Sequence, residues 1–235
     1  MAKPTELELR QLVADAGRVL YRLGLTDYMG HPSVRIPGTD YVLIKPRHSL
    51  RIRAMDQMAP EDIVVIDLDG KLIDGKDGPP AERFIHTCIY KARPDVQAIV
   101  HTHQSMATIM GVAGKPILPI LHVEAPLAER PIPIWPCAKL VTDEDLGQQL
   151  AGALGDHSVC LLQGHGIVTV APSLQEATLN AIHLERLADA NFKVLSVSGQ
   201  PRVIPEEEIR HLKERSVGFE VRWAYYAELA GLNVD

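Results

Sequence analysis

Arg93-Pro94-Asp95-Val96-Gln97-Ala98-Ile99-Val100-His101-Thr102-His103-Gln104-Ser105 carries three structural instructions in thirteen residues. Residues 80 to 93 read as a helix, and Pro94 stops it because the residue before a proline is pushed out of the α region. Ala98 to His101 is a short apolar strand, and Ser105 to Gly111 opens a second helix. A strand set between helices marks a chain that layers helices on a sheet.

Working outward, the N-terminal flank begins with a helix. Thr5 and Glu8 form a capping box, and Leu9, Leu12, Val13, Ala16, Val19, Leu20 and Leu23 make an apolar stripe that Gly24 ends. Short strands follow: Ser33 to Ile36 and Tyr41 to Ile44 around the Pro37–Gly38 turn, then Ile63 to Asp67 and Lys71 to Ile73 around Asp69–Gly70. On the C-terminal flank Thr142 is expected to cap a helix to about Leu154. Ser158 to Leu162 and Ile167 to Val170 are strands around Gln163-Gly164-His165-Gly166, and Ser173 with Glu176 caps a long helix. Pro205 before Glu206-Glu207-Glu208 opens the last helix, its acidic residues suited to the positive end of the dipole. Helices before, between and after a hairpin-rich mixed sheet predict a three-layer α/β/α fold over residues 1–235 as one domain.

Composition narrows the function classes. The chain has 235 residues, 46% of them hydrophobic, enough for one sizeable core. Its net charge of −6 is dispersed and no basic cluster is interleaved with aromatics, so nucleic acid is not expected as a partner. Met1 to Arg18 holds Glu6, Glu8, Arg10 and Asp15 without an apolar stretch, which predicts neither a signal peptide nor a membrane span and a cytoplasmic location. Cys88, Cys137 and Cys160 are odd in number, far apart and set among apolar neighbours, as small buried thiols are.

The chemistry lies in the histidines. His101 and His103, two apart at a strand end, point to one face by the strand's period of two, so one cation could accept both nitrogens; two surface histidines would give the same spacing. His165, between Gly164 and Gly166, sits where glycines let the backbone approach an ion closely. Three histidines can form a metal site with an open side. Glu82 follows Gly78-Pro79-Pro80-Ala81 and opens a helix, where it either presents a carboxylate to a site or complements the helix dipole.

Three stretches, Glu82 to His86, Arg93 through His103, and Leu161-Leu162-Gln163-Gly164-His165-Gly166, resemble those of the class II aldolase/adducin family, with the likeness running from about Leu7 to Leu195. The resemblance implies that family's fold with a mixed, mainly antiparallel central sheet. It implies that His101, His103 and His165 hold one divalent ion per chain, with zinc foremost and manganese, iron or cobalt acceptable to the same ligands. It gives Glu82 the acid/base role, places His122 in a segment lining the site, and suggests that Tyr225 or Tyr226 closes over it. It also implies a homotetramer. Adducin carries a similar domain without the metal ligands; this chain keeps all of them.

The chain departs from the sugar-phosphate aldolases of the family where those bind phosphate. Their Gly-Asn-x-Ser turn reads here Gly30-His31-Pro32-Ser33-Val34-Arg35, their Thr-Pro-x-Gly turn reads Ile44-Lys45-Pro46-Arg47-His48, and a pair of hydroxyl residues has become Pro80-Ala81. His31, Arg35, Lys45, Arg47 and His48 suit carboxylates, and Arg can pair with one at two points. With Ser33 they are the candidate substrate-binding residues. Gly30-His31-x-Ser33-Val34-Arg35 with Glu82-Arg83-Phe84-Ile85-His86 is similar to the branch containing dihydroxyphthalate and hydroxy-carboxymuconate semialdehyde decarboxylases. That similarity implies a decarboxylase of a hydroxylated aromatic or hydroxy-keto acid; aldol cleavage or epimerisation of a sugar phosphate is the alternative, and a non-catalytic adducin-like interaction domain a third. His86, one turn after Glu82, is a further candidate, whereas His157, His183 and His211 read as surface residues.

Overall fold

The computed structural model describes residues 4–49 and 54–233. Helix α1 (Glu6–Arg22) starts at the expected capping box, in which Thr5 accepts the Glu8 amide and the Glu8 carboxylate accepts the Thr5 amide. Its stripe of Leu9, Val13, Ala16, Val19 and Leu20 is buried.

The described residues form eight strands, β1 (His31–Arg35), β2 (Tyr41–Ile44), β3 (Val64–Asp67), β4 (Leu72–Asp74), β5 (Ala98–Thr102), β6 (Ile134–Trp135), β7 (Val159–Leu162) and β8 (Gly166–Ala171). They form one sheet in the order β4-β3-β2-β1-β5-β8-β7-β6. Among the described residues only β6 with β7 is parallel, so the sheet is mixed and mainly antiparallel. The other helices are α2 (Arg83–Ala92), α3 (Ser105–Val112), α4 (Glu144–Leu154), α5 (Leu174–Ser198), α6 (Glu206–Arg215) and α7 (Phe219–Leu229).

Alternate residues of the central strands feed two cores, as the period of two requires, whereas β4 at the sheet edge is exposed. Val100, Val34 and Ile167 join α1, α3, α5 and α7 on one face, while Ile99, Val42 and Val168 join α2 and α4 on the other. The result is the expected three-layer α/β/α arrangement. Strand β5 lies mid-sheet between β1 and β8 and is buried along its whole length, which is why it reads as an apolar run.

Local details differ from expectation in three places. Helix α4 is capped by Asp143, not Thr142, because the Asp143 carboxylate accepts the Leu146 amide at 2.9 Å. The C-terminal helical run is two helices: Ser216 is extended (ψ 144°), so the chain leaves α6 and restarts as α7 at Phe219. Strand β6, two residues long and flanked by Pro133 and Pro136, is too short for any periodic signal. The three cysteines are free; Cys88 and Cys160 are buried, and burial pushes the Cys160 thiol up to about 12.

Candidate metal centre

The carboxyl end of β5 brings the chemistry-bearing residues together. His101 and His103 leave β5 on one face with their Nε2 atoms 2.9 Å apart. His165 comes from the turn joining β7 to β8, where Gly166 lies so close to β5 that a Cβ there would meet the Thr102 carbonyl at 2.3 Å. Glu82 comes from the opposite layer, at the head of α2. One ligand atom from each of Glu82, His101, His103 and His165 lies within 4.8 Å of the others.

Glu82 does not cap its helix. Its carboxylate makes no bond to the α2 amides; Oε1 accepts the Val141 amide at 2.9 Å and lies 3.4 Å from His165 Nε2, and Oε2 is 3.9 Å from His101 Nε2. Burial alone would raise this carboxyl, but His165, the Val141 amide and His103 together hold it below the usual carboxylate value.

Three imidazoles and a carboxylate at this spacing fit a divalent metal. His101 Nδ1 donates to the Ile167 carbonyl at 2.8 Å, which puts the ring's lone pair on Nε2, facing His103. Burial, then the neighbouring His165 and His103, drives His101 well below the ordinary histidine value, so it is held in its neutral, ligating form. Both ring nitrogens of His165 are buried without a hydrogen-bond partner among the described residues. A divalent cation shared by these rings would take the lone pair of one of these two nitrogens. The segment is also braced from behind. Thr102 donates to Gln104 at 2.9 Å, Gln104 donates to the Ala181 carbonyl at 3.1 Å, and the Glu185 carboxylate accepts the Met106 and Ala107 amides at 2.8 and 3.0 Å.

The remaining sequence candidates divide by position. His31 pairs across the ladder with His101, their ring centroids 5.0 Å apart, and is buried beside the cluster. Gly30 permits this approach: it has φ +84°, and a Cβ there would lie 2.9 Å from the His101 carbonyl. Lys45 is also buried; its ammonium donates to the Tyr28 carbonyl at 3.1 Å, burial lowers its pKa to about 8, and its charge helps depress His31. Arg47 and His48 are exposed on the same turn, and the Arg47 amide bonds the Gly78 carbonyl at 2.9 Å, setting this turn against the segment that leads to Glu82.

Ser33 and Arg35 do not fit the substrate-binding role expected of them. Ser33 is fully buried, with its hydroxyl 2.6 Å from His86 Nδ1 and 2.9 Å from the Tyr90 hydroxyl. Arg35 lies four residues along β1 from His31, about 13 Å in an extended strand. There its guanidinium covers the Tyr90 ring and donates to the Val96 carbonyl at 2.9 Å and to the Tyr90 carbonyl. It closes the end of α2 instead of facing the cluster. His122 is exposed and outside the four-residue group. With His183, Arg186, His211, Tyr225 and Tyr226 it borders a separate cavity of about 490 Å³ that shares no lining residue with the cluster. The two tyrosines therefore do not close over the metal cluster of their own chain. His183 is buried, not a surface residue, and burial lowers it to about 4.

Sequence reasoning gave His86 little weight and missed Tyr90. Both face β1 from α2, four residues apart on one helix face, and that spacing beside Ser33 was the available signal.

Comparison with known proteins agrees with this arrangement. The family model described as the class II aldolase and adducin N-terminal domain matches residues 11–192. The 3,4-dihydroxyphthalate decarboxylase of Arthrobacter keyseri is 32% identical over 97% of this chain and 96% of its own length. The L-fuculose phosphate aldolase of Escherichia coli O6:H1 is 31% identical over 88% of this chain and 94% of its own. A solved structure of an aldolase II superfamily protein from Pseudomonas syringae superposes with a TM-score of 0.82 at 25% identity, over 97% of this chain and 94% of the other. With the family model covering most of its length and relatives above 30% identity spanning nearly all of it, the chain belongs to the class II aldolase and adducin N-terminal domain family.

Proposed function

We propose that this protein is a metal-dependent carboxy-lyase acting on an aromatic acid with adjacent hydroxyl groups, of the dihydroxyphthalate kind. The observation that carries it is Lys45. A buried ammonium beside the His101 pair-partner His31 stands in a segment where phosphate-binding aldolases of the family have a small hydroxyl turn, and it retains donors for a carboxylate. Full-length similarity to decarboxylases of 3,4-dihydroxyphthalate supports the same substrate class.

His101, His103 and His165 would hold the ion, zinc being the natural choice for this ligand set. When bound, a divalent cation supplies a Lewis acid that accepts developing negative charge on a substrate oxygen. The chain supplies the rest. Lys45, with His31 and Arg47, orients a substrate carboxylate. Glu82, ionised before substrate arrives, accepts the proton of a substrate hydroxyl and returns it to the ring carbon that loses carbon dioxide; solvent supplies the one proton consumed per turnover.

The test is product analysis of the zinc-loaded protein with ortho-dihydroxylated aromatic mono- and dicarboxylates, alongside phosphorylated aldols. Carbon dioxide and the decarboxylated catechol should appear in equal amounts. The similarity to L-fuculose phosphate aldolase keeps one rival in view: cleavage of a phosphorylated aldol to dihydroxyacetone phosphate, with no carbon dioxide from any acid, would replace the carboxy-lyase with an aldolase.

A further inference from the structure

A chain of four polar side chains runs from the core between β1 and α2 to the edge of the metal cluster. Tyr90 Oη lies 2.9 Å from Ser33 Oγ, Ser33 Oγ lies 2.6 Å from His86 Nδ1, and His86 Nε2 lies 2.7 Å from His31 Nδ1. The geometry follows from two periods. His31 and Ser33 share a face of β1, and His86 and Tyr90 share a face of α2, so strand steps of two meet helix steps of four. All four residues are buried, His86 and Ser33 completely. Four polar groups placed inside an apolar layer do nothing for packing that alkyl groups would not do better.

Each link holds one proton, and satisfying every buried donor orders them all. Ser33 Oγ is the hydrogen-bond partner of Tyr90 Oη among the described residues, so the Tyr90 proton has Ser33 as its acceptor. Ser33 then donates to His86 Nδ1, which leaves the proton of neutral His86 on Nε2, donated to His31 Nδ1. The reverse order would leave the Tyr90 hydroxyl proton buried with no acceptor among the described residues. Burial keeps the chain neutral: it lowers His86 to about 3 and raises the Tyr90 phenol. His31 Nε2 is the end of the chain.

We propose that Tyr90, Ser33 and His86 are positioning residues that fix His31 in the tautomer protonated at Nε2, so that His31 meets the substrate as a neutral donor and selects an ionised oxygen, carboxylate or phenolate, beside the metal cluster. The location of that oxygen rests on the carboxy-lyase reading above; the tautomer rests on the hydrogen-bond chain alone.

Two-bond proton–nitrogen correlation spectra of histidine-labelled protein read the tautomers directly. His31 and His86 should both carry their proton on Nε2. Tyr90→Phe and Ser33→Ala should convert His31 to a mixture of tautomers, while Ser33→Thr, which keeps the hydroxyl, should restore the single form. With 3,4-dihydroxyphthalate as probe on the zinc-loaded protein, KM should rise about tenfold in Tyr90→Phe and Ser33→Ala with turnover changed less than about threefold, the signature of a contact made equally in ground and transition states. His31 protonated at Nδ1 in the native protein overturns the proposal. So does an unchanged spectrum in both Tyr90→Phe and Ser33→Ala. Should one of these two not fold, the other decides. If the native protein does not turn over the dicarboxylate, the carboxy-lyase reading fails and the spectra still decide the tautomer.

Discussion

At the scale of single residues, Glu82 and Lys45 carry opposite electrostatic problems. Glu82 is buried but surrounded by donors, so it stays ionised and within 4 Å of two histidines. Glu82→Gln keeps the Val141 contact and the shape while removing the basic oxygen. It should leave folding intact and cut turnover by on the order of a hundredfold or more; near-normal turnover would reduce Glu82 to a structural residue. Lys45 is buried with little to offset its charge, and its pKa falls from 10.5 to about 8. Because the folded value lies below the unfolded one, the penalty is whole below pH 8. Stability should rise from pH 8 toward 10.5 as the folded chain releases a proton that the unfolded chain still holds. Lys45→Met should therefore raise stability near pH 7 by about 2–3 kcal/mol, with the gain fading by pH 10.5, and should lower kcat/KM for a carboxylate substrate at least about tenfold. Denaturant titrations at the two pH values check the first part, and a gain that persists unchanged at high pH refutes it.

At the scale of elements, β1 separates three residues that the sequence presents as one motif. His31 faces the cluster, Ser33 joins β1 to α2, and Arg35 ties down the last carbonyls of α2 and the Val96 carbonyl. Arg35→Ala leaves those carbonyls and the Tyr90 face without their cation, a loss of about 2 kcal/mol of stability. Its kcat/KM should stay within about threefold of the native value, in contrast to Lys45→Met. A large kinetic loss with unchanged stability would return Arg35 to the substrate. Glu185 acts similarly for α3: it accepts two first-turn amides from the neighbouring α5 and so holds the turn that follows His103. Glu185→Ala should weaken zinc binding several-fold without touching a ligand, as outer partners of metal ligands do. Competition with a chromophoric chelator measures it.

At the scale of the whole molecule, the cluster lies where two layers and three strands meet, so an ion held by His101, His103 and His165 would tie the end of β5 to the β7–β8 turn beside Glu82. Saturating zinc should raise the midpoint of thermal unfolding, in proportion to the logarithm of free zinc over its dissociation constant, and His103→Ala should abolish the increase. An unfolding midpoint indifferent to both zinc and chelator would exclude the site. The assembly we propose is a homotetramer. Ile109 and Val112 of α3 and Leu140 beside Val141 leave large apolar side chains exposed near the cluster, where a second chain would cover them. Sedimentation of the active species should give four chains, and an active monomer would refute the assembly.

The sequence alone determined what depends on local spacing. The capping box at Thr5, the Ser173 cap of α5, the hairpin turns at Pro37–Gly38 and Asp69–Gly70, and the two-apart histidines of β5 follow from periods and backbone preferences that act within a few residues. Resemblance then tied His165, 62 positions after His103, and Glu82, 21 positions before it, to the pair, since no local pattern spans those separations. Only the tertiary structure decided which cations stand at the cluster. Lys45 lies close enough to His31 for its charge to act on it and Arg35 does not, because strand register sets His31 against His101 and carries Arg35 to the other end of α2. It also decided that Ser33 and His86 belong to a buried proton chain, and that Tyr90 completes it. Register and layer packing are long-range properties: they depend on which strands pair and which helix covers them, and no window of adjacent residues contains that choice.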